Sequence, residues 1–233
     1  MTALGRAGRA VRLAIYRAFA SQGQPPSVAE VATQTGLPEA DVRAALRQLH
    51  EAHAIVLTSA GDAVRMAHPF SAAPMGFVVA AGGQGPTGYL GDRMWWGGCA
   101  WDSFGIGAAL GEPIEIRTLC PGCGRALVVH ADPAGPPQQD LVVHVPCPAR
   151  RWWDDVVGTC TNIRLFCSPP HIEAWAQAGP RPIGQIIPSA TMWQLAQQWY
   201  GDRLDPDWSP RTAAAAQHLL EQCGLSGDFW RLP

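Results

Sequence analysis

Lysine is absent from this chain of 233 residues, and all 17 of its basic side chains are arginines. The 19 acidic residues leave a formal net charge of −2 at pH 7. A chain with this balance has no general electrostatic attraction to nucleic acid or to an anionic membrane surface. We therefore do not expect nonspecific binding to either.

Long apolar runs are also missing. No stretch of eighteen uninterrupted apolar residues occurs, so the sequence predicts no transmembrane helix. Arginines at positions 6, 9, 12 and 17 interrupt the first apolar segment, which lacks the continuous apolar centre of a signal peptide. These features predict a cytoplasmic protein without a membrane partner.

Charged residues are scarce, at 15% of the chain, whereas 47% of the residues are hydrophobic. This composition is typical of a soluble globular protein with a sizeable core. Cysteines are odd in number, and in a cytoplasmic chain they favour metal binding or thiol chemistry over a disulfide framework. The seven cysteines are Cys99, Cys120, Cys123, Cys147, Cys160, Cys167 and Cys223.

The N-terminal region has the pattern of a winged helix. Apolar residues recur at helical spacing over 11–19, Ser27 and Glu30 form a capping box for a second helix, and a third helix is predicted over 38–52. A hairpin over 55–66 follows. The third helix carries three acidic residues beside two arginines. This charge pattern does not favour contact with phosphates, so we do not expect DNA binding.

The rest of the chain alternates short strands and helices. Strands are predicted at 77–80, 89–96, 114–118, 126–130, 141–145 and 162–167, around a glycine-rich turn at 82–88, with helices at 99–110 and 170–177. The fold class is therefore α+β, with a mixed, mostly antiparallel sheet and flanking helices behind a winged-helix-like three-helix domain. The predicted divisions are the winged-helix-like domain at 1–67, a linker at 68–76, the main α+β domain at 77–190 and a C-terminal helical extension packed on its surface at 191–233.

The stretch Gly-Gly-Cys-Ala-Trp-Asp-Ser at 97–103 holds the first candidate site. If Cys99 opens a helix, the unpaired backbone N–H groups and the helix dipole lower the pKa of its thiol. Asp102 lies three residues on, with side-chain origins about 5–6 Å apart, close enough to exchange a proton with the thiol or its ligand. The same residues also fit a small buried thiol followed by a capping carboxylate.

Two further segments are GDRMWWGGCAWD at 91–102, which contains the first candidate site, and TCTNIRLFCS at 159–168. These two segments resemble the organomercurial (alkylmercury) lyase family. The winged-helix-like region fits as well, so the resemblance reaches from the N-terminus to about residue 190. Its most specific element is a Cys-Ala-x-Asp pattern with a second cysteine some sixty residues later.

The resemblance implies a catalytic set of Cys99, Asp102 and Cys160. Mercury(II) is a soft cation that prefers thiolates, and two of them would weaken its bond to carbon while the aspartic acid protonates that carbon. The implied reaction is protonolysis of the carbon–mercury bond of a small organomercurial, without an organic cofactor. Hg(II) then stays on both sulfurs, and on an Asp102 oxygen, until a cellular thiol or a mercuric reductase accepts it.

One residue departs from the family pattern. The family has an aromatic residue before the first catalytic cysteine, whereas this chain has Gly98, with Trp95 and Trp96 earlier. The shape of the substrate pocket is therefore expected to differ, while the chemistry is not.

A second group of cysteines has zinc-ligand spacing. Cys120 and Cys123 flank a Pro-Gly turn, and Cys167 with His171 would complete a tetrahedral site that resembles a treble clef. The pattern fits a structural zinc or two pairs of unligated thiols. Zinc on Cys160 instead would compete with the catalytic interpretation.

Other conspicuous residues are interpreted as structural. The loop at 150–155, with two adjacent tryptophans, covers the core or acts as a lid over the cysteine pocket. The remaining thiols and the unclustered histidines are expected to be ordinary core or polar residues: Cys147, Cys223, His68, His130 and His144.

Three alternatives to the lyase stay open. One is a soft-metal sensor or carrier that keeps the thiolate site without turnover, the second a lyase-like enzyme for another substrate, and the third a zinc-stabilised structural protein. Asp102 separates the first from the lyase, because a pure thiolate binder does not need an acid beside its ligand whereas proton delivery to carbon does.

Overall fold

The computed structural model describes residues 4–81 and 93–233. The glycine-rich turn predicted at 82–88, and the beginning of the strand predicted at 89–96, lie outside the described residues.

The winged-helix-like region consists of α1 (Arg6–Gln22), α2 (Val28–Thr35), α3 (Glu39–Glu51) and the hairpin of β1 (Val56–Leu57) and β2 (Val64–Ala67). Ser27 and Glu30 form the predicted capping box at the start of α2. The apolar face of each helix turns inward, as the periodicity predicts.

The hairpin continues into a larger sheet. Its further strands are β3 (Phe70–Ser71), β4 (Phe77–Ala81), β5 (Arg93–Gly97), β6 (Ile114–Leu119) and β7 (Ala126–Ala131). The seven strands follow the order β1-β2-β3-β5-β4-β6-β7, and every neighbouring pair is antiparallel. Residues 68–76, the predicted linker, thus include the strand that joins the wing to the sheet.

A helix follows the central strand β5 directly. This helix, α4 (Ala100–Leu110), is buried almost all round and ends at Gly111, whose φ of 66° suits glycine. A helix that is apolar on all sides packs between other layers instead of lying on a surface. The start of α4 is therefore deep inside the molecule.

The second sheet has three antiparallel strands: β8 (Val142–Val145), β9 (Arg164–Phe166) and β10 (Gln185–Pro188), in the order β10-β8-β9. Around it lie α5 (Val156–Asn162), α6 (Pro169–Gln177), α7 (Ser189–Tyr200) and α8 (Ala213–Gln222), with 3₁₀ turns at Ala149–Arg151 and Asp228–Trp230. The α+β class is confirmed. The short elements α5 and β10 were not predicted, because neither shows a clear apolar period.

The C-terminal helices are more than a surface layer. Met192, Leu195 and Ala196 of α7 are buried, and the helix packs along α4. The last residue of α7, Tyr200, reaches the candidate site. The divisions of the chain at 67, 76 and 190 stay predictions. Among the described residues, no helix has the length and apolar character that crossing a membrane requires.

A buried arginine ties the first helix to the C-terminal region. Arg12 is 1% exposed, donates hydrogen bonds to the carbonyls of Arg203 and Asp205, and lies over the rings of Trp208 and Tyr16. Burial lowers the pKa of this guanidinium to about 10, so it keeps its charge at neutral pH. The Arg12 guanidinium therefore contacts two carbonyls and two aromatic rings at once.

Arg12→Met should lower the free energy of unfolding by about 2–3 kcal/mol, because it leaves two carbonyls without their donor and removes the cation–π contacts. Chemical denaturation measures this change. Arg17→Met, on the exposed side of the same helix, is the matched control and should change stability by less than about 0.5 kcal/mol. Equal stability of Arg12→Met and the parent would contradict the interpretation.

Candidate active site

Cys99 lies between the end of β5 and the first residue of α4. It is the N-cap of α4 in extended backbone conformation, and its sulfur accepts a hydrogen bond from the Asp102 N–H at 3.3 Å. A thiol therefore occupies the position where serine or aspartate usually caps a helix. The local geometry predicted from the glycine pair and the helix start is confirmed.

Asp102 is buried in the first turn of α4, with 1% of the residue exposed. The Tyr200 hydroxyl donates to its Oδ1 at 2.7 Å, and His68 Nδ1 lies 3.2–3.3 Å from its two oxygens. The Cys160 thiol donates to Oδ2 at 3.8 Å. Three side chains from distant parts of the chain thus surround one carboxyl group.

Cys160 comes from the short helix α5 and is 6% exposed. Its thiol lies close enough to that of Cys99 for each to shift the other's pKa. The backbone holds the two segments together, because the Ala100 N–H donates to the Ile163 carbonyl at 3.0 Å. The structure therefore places Cys99, Asp102 and Cys160 together, as the resemblance implied.

Two glycines give these side chains their room. A Cβ on Gly98 would overlap the Met66 methyl group and the Asp102 carboxylate, so an aromatic residue does not fit there. A Cβ on Gly105 would overlap the ring of Tyr200. The departure at position 98 thus follows from side chains that fill the space beside the carboxylate, and Gly105 lets α7 come close enough for Tyr200 to reach it.

Burial sets the protonation of the two thiols. Burial raises the pKa of Cys99 well above its ordinary value, helped by the hydrogen bond to Cys160 and by the Asp102 charge. The bond from Cys99 lowers the pKa of Cys160, but burial and Asp102 together outweigh it and raise that pKa. The prediction of a lowered pKa for Cys99 is therefore wrong, since burial exceeds the effect of the helix N-terminus.

Sequence reasoning missed two partners of Asp102. His68 was interpreted as an ordinary polar or core residue, and Tyr200 was not singled out. They are 34 and 98 residues away from Asp102, so no local spacing could connect them to it. Burial, followed by the Asp102 charge, raises the pKa of Tyr200 well above its usual range, so its hydroxyl stays a donor.

Aromatic rings of the loop at 150–155 cover one side of the site. Trp153 stacks on His53 with ring centroids 4.0 Å apart, and meets His68 edge-on at 6.0 Å. Trp152 packs against Trp101 of α4 at 5.2 Å. The loop therefore packs against His68, one partner of Asp102, and against the first turn of α4.

The other predicted thiols form a separate group. The ligand atoms of Cys120, Cys123, Cys167 and His171 all lie within 4.8 Å of one another. Cys160 is not among them, and instead groups with Asp102 and His68. The two sets thus use different cysteines. Outside both groups lie Cys147, Cys223, His130 and His144.

Comparison with known proteins identifies the family of this chain. The family model described as alkylmercury lyase (MerB) matches residues 70–201, and that of the IclR helix-turn-helix domain matches residues 7–55. The α+β fold is thus that of a lyase-like enzyme. More particularly, the chain belongs to the alkylmercury lyase family, whose model covers more than half of it.

A solved structure shows a similar fold. It is titled "Crystal structure of the mercury-bound form of MerB2", and it is 21% identical to this chain with a TM-score of 0.61. The similarity covers 86% of this chain and 91% of that one. No curated protein matches the chain.

The raised thiol pKa values predict slow alkylation. Iodoacetamide reacts with thiolates, so Cys99 and Cys160 should react slowly at pH 7.5, and their rates should still rise steeply above pH 9. Mass spectrometry of alkylated peptides measures each rate, with the urea-unfolded chain as the control. Alkylation of either thiol at pH 7.5 as fast as in the unfolded chain would contradict this prediction.

Proposed function

We propose that this protein cleaves the carbon–mercury bond of small organomercurials by protonolysis, with Cys99, Cys160 and Asp102 as the catalytic residues. The observation that carries the proposal is the buried contact of one carboxyl group with a thiol, beside a second thiol. Membership of the alkylmercury lyase family supports it. A site with two soft ligands and one proton carrier matches what this reaction needs.

The first step replaces thiol protons by mercury. Both thiols hold their protons in the buried resting site, and mercury(II) binds thiolates strongly enough to displace them. The Cys160 thiol already points at Asp102 Oδ2, so its proton passes to that oxygen as the sulfur–mercury bond forms. The Cys99 proton leaves to solvent or to the group displaced from mercury.

The second step breaks the carbon–mercury bond. Two thiolates donate electron density to mercury, and the electron pair of the carbon–mercury bond takes the proton that Asp102 now holds. A new C–H bond forms, the hydrocarbon leaves, and Hg(II) remains on the two sulfurs with a carboxylate oxygen beside it. A cellular thiol or a mercuric reductase then accepts the ion.

Tyr200 and His68 act as positioning residues for this transfer. Tyr200 donates to Oδ1, which leaves Oδ2 turned towards Cys160. The carboxyl group is 1% exposed, and the Trp153 ring packs edge-on against its partner His68. Exclusion of water matters because a proton held in a dry site goes to carbon and not to solvent.

The winged-helix-like region takes part as scaffold in this proposal. Met66 packs beside Gly98, and the Tyr16 hydroxyl donates to the His68 carbonyl. The exposed charges of α3 are Glu39, Asp41, Arg43, Arg47 and Glu51, a set with one more acid than base. This face has little attraction for phosphates, so we do not expect DNA binding despite the match to a helix-turn-helix family.

Single-turnover reaction with phenylmercury or methylmercury tests the catalytic set. Cys99→Ser, Cys160→Ser and Asp102→Asn should each slow hydrocarbon release at least about 100-fold, because each removes a mercury ligand or the proton carrier. Gas chromatography measures benzene or methane. Cys223→Ser, a buried thiol outside both groups, is the control and should react like the parent.

Full activity in any of the three variants would exclude that residue from catalysis. If the parent bound the mercurial tightly without releasing hydrocarbon, the protein would instead be a soft-metal sensor or carrier. If it neither bound nor cleaved mercurials, it would be a lyase-like enzyme for another substrate.

Tyr200→Phe tests the positioning role. Removal of the donor to Oδ1 should slow hydrocarbon release about 10- to 100-fold, since a hydrogen bond to a charged group contributes about 1.5–3 kcal/mol. Mercury affinity should stay unchanged because both thiols remain. Single-turnover rates and calorimetric titration with Hg(II) separate the two effects. A parallel loss of binding and cleavage, or no loss of either, would contradict this role.

A further inference from the structure

Four metal-ligating side chains meet where two distant segments of the chain come together. Cys120 and Cys123 lie in the turn between β6 and β7 of the seven-stranded sheet. Cys167 follows β9 of the three-stranded sheet, and His171 lies in the first turn of α6. Their ligand atoms are all within 4.8 Å of one another.

The separations within this group match those around a tetrahedral zinc ion. With Zn–S bonds of about 2.3 Å and a Zn–N bond of about 2.0–2.1 Å, two sulfurs stand about 3.8 Å apart and a sulfur and a nitrogen about 3.6 Å. The sulfurs of Cys123 and Cys167 are 3.8 Å apart, and the Cys120 sulfur is 3.7 Å from His171 Nδ1. A disulfide, at about 2.05 Å, is much shorter.

The backbone of the turn is shaped for this approach. The Gly124 N–H donates to the Cys120 carbonyl at 2.8 Å, and Gly124 has a φ of 72°, which favours glycine. A Cβ on Gly122 would overlap the backbone carbonyl of His171. Glycine at position 122 therefore lets the turn come against the start of α6 at backbone distance, and the ligands of the two segments can face one point.

We propose that Cys120, Cys123, Cys167 and His171 bind a structural Zn²⁺ ion. Four protein ligands close a tetrahedral site and leave no position for a substrate, which is the pattern of structural zinc. Cys160 belongs to the other group and Cys99 to neither, so this proposal does not depend on the lyase reaction.

The ion would hold the two sheets together. Two of its ligands come from the β6–β7 turn, while the other two follow β9 in the chain. Cys160 lies in α5, which leads directly into β9. Zinc would thus hold in place the segment that carries Cys160, without touching the site itself.

Metal analysis of the full chain, purified under reducing conditions, is the first test. We expect about one zinc per chain, and after chelation we expect a fall of several degrees in Tm that added Zn²⁺ reverses. Co²⁺ in place of zinc should give the visible bands of a tetrahedral site with thiolate-to-metal charge transfer. Less than about 0.2 zinc per chain, together with no cobalt spectrum, would overturn the proposal.

Variants assign the ligands. Cys123→Ser should lose most of the zinc, whereas His171→Cys should keep it, with a stronger charge-transfer band in the cobalt form because a fourth thiolate replaces the imidazole. Cys147→Ser and Cys160→Ser are matched controls and should keep the parent's zinc content. Zinc that survived Cys123→Ser, or that disappeared in Cys160→Ser, would place the metal elsewhere.

The His171→Cys variant keeps the test decisive if Cys123→Ser does not fold. A cobalt spectrum unchanged from the parent's would show that position 171 is not a ligand, and that result would overturn the proposed set.

Discussion

The contacts of one buried carboxyl group organise this molecule. A carboxylate that is 1% exposed is strongly disfavoured unless hydrogen-bond donors replace its lost water. Asp102 receives them from Tyr200, His68 and Cys160, which belong to three separate parts of the chain. To bring them to one point, the wing must join the sheet, α5 must lie against the start of α4, and α7 must pack along α4. The packing contacts that build the fold therefore also bring the site residues together.

The local part of the site could be predicted from the sequence, and the distant part could not. Cys99 and Asp102 are three residues apart at a helix start, so spacing alone placed them together, whereas Cys160 came from the family resemblance. Tyr200 and His68 approach Asp102 only through tertiary packing that no periodicity encodes. The prediction of a lowered pKa for Cys99 was wrong for the same reason, because a helix start is visible in a sequence and the depth of its burial is not.

The fold shows the same division between local and distant information. The helices with a clear apolar period, and the strands that alternate, were predicted close to their observed bounds. The short helix α5 carries Cys160, yet its cap is a hydrogen bond from the Gly158 N–H to the Asp155 side chain and not an apolar stripe. Likewise, the Cys-Pro-Gly-Cys turn indicated half of a metal site, but only tertiary packing brings Cys167 and His171 to it.

Ligand number and burial would direct two soft-metal ions to different places in this chain. The inner site has two thiols with their protons in place and one carboxyl group, which suits an ion that binds strongly to two sulfurs and displaces those protons. Zinc prefers four ligands in a tetrahedron, and the group at the β6–β7 turn has that number within reach. Cys123 is exposed there, so the ion can enter without opening the core. Because the two groups share no cysteine, a zinc ion can stabilise the segment that carries Cys160 while the Cys160 thiol stays free for mercury.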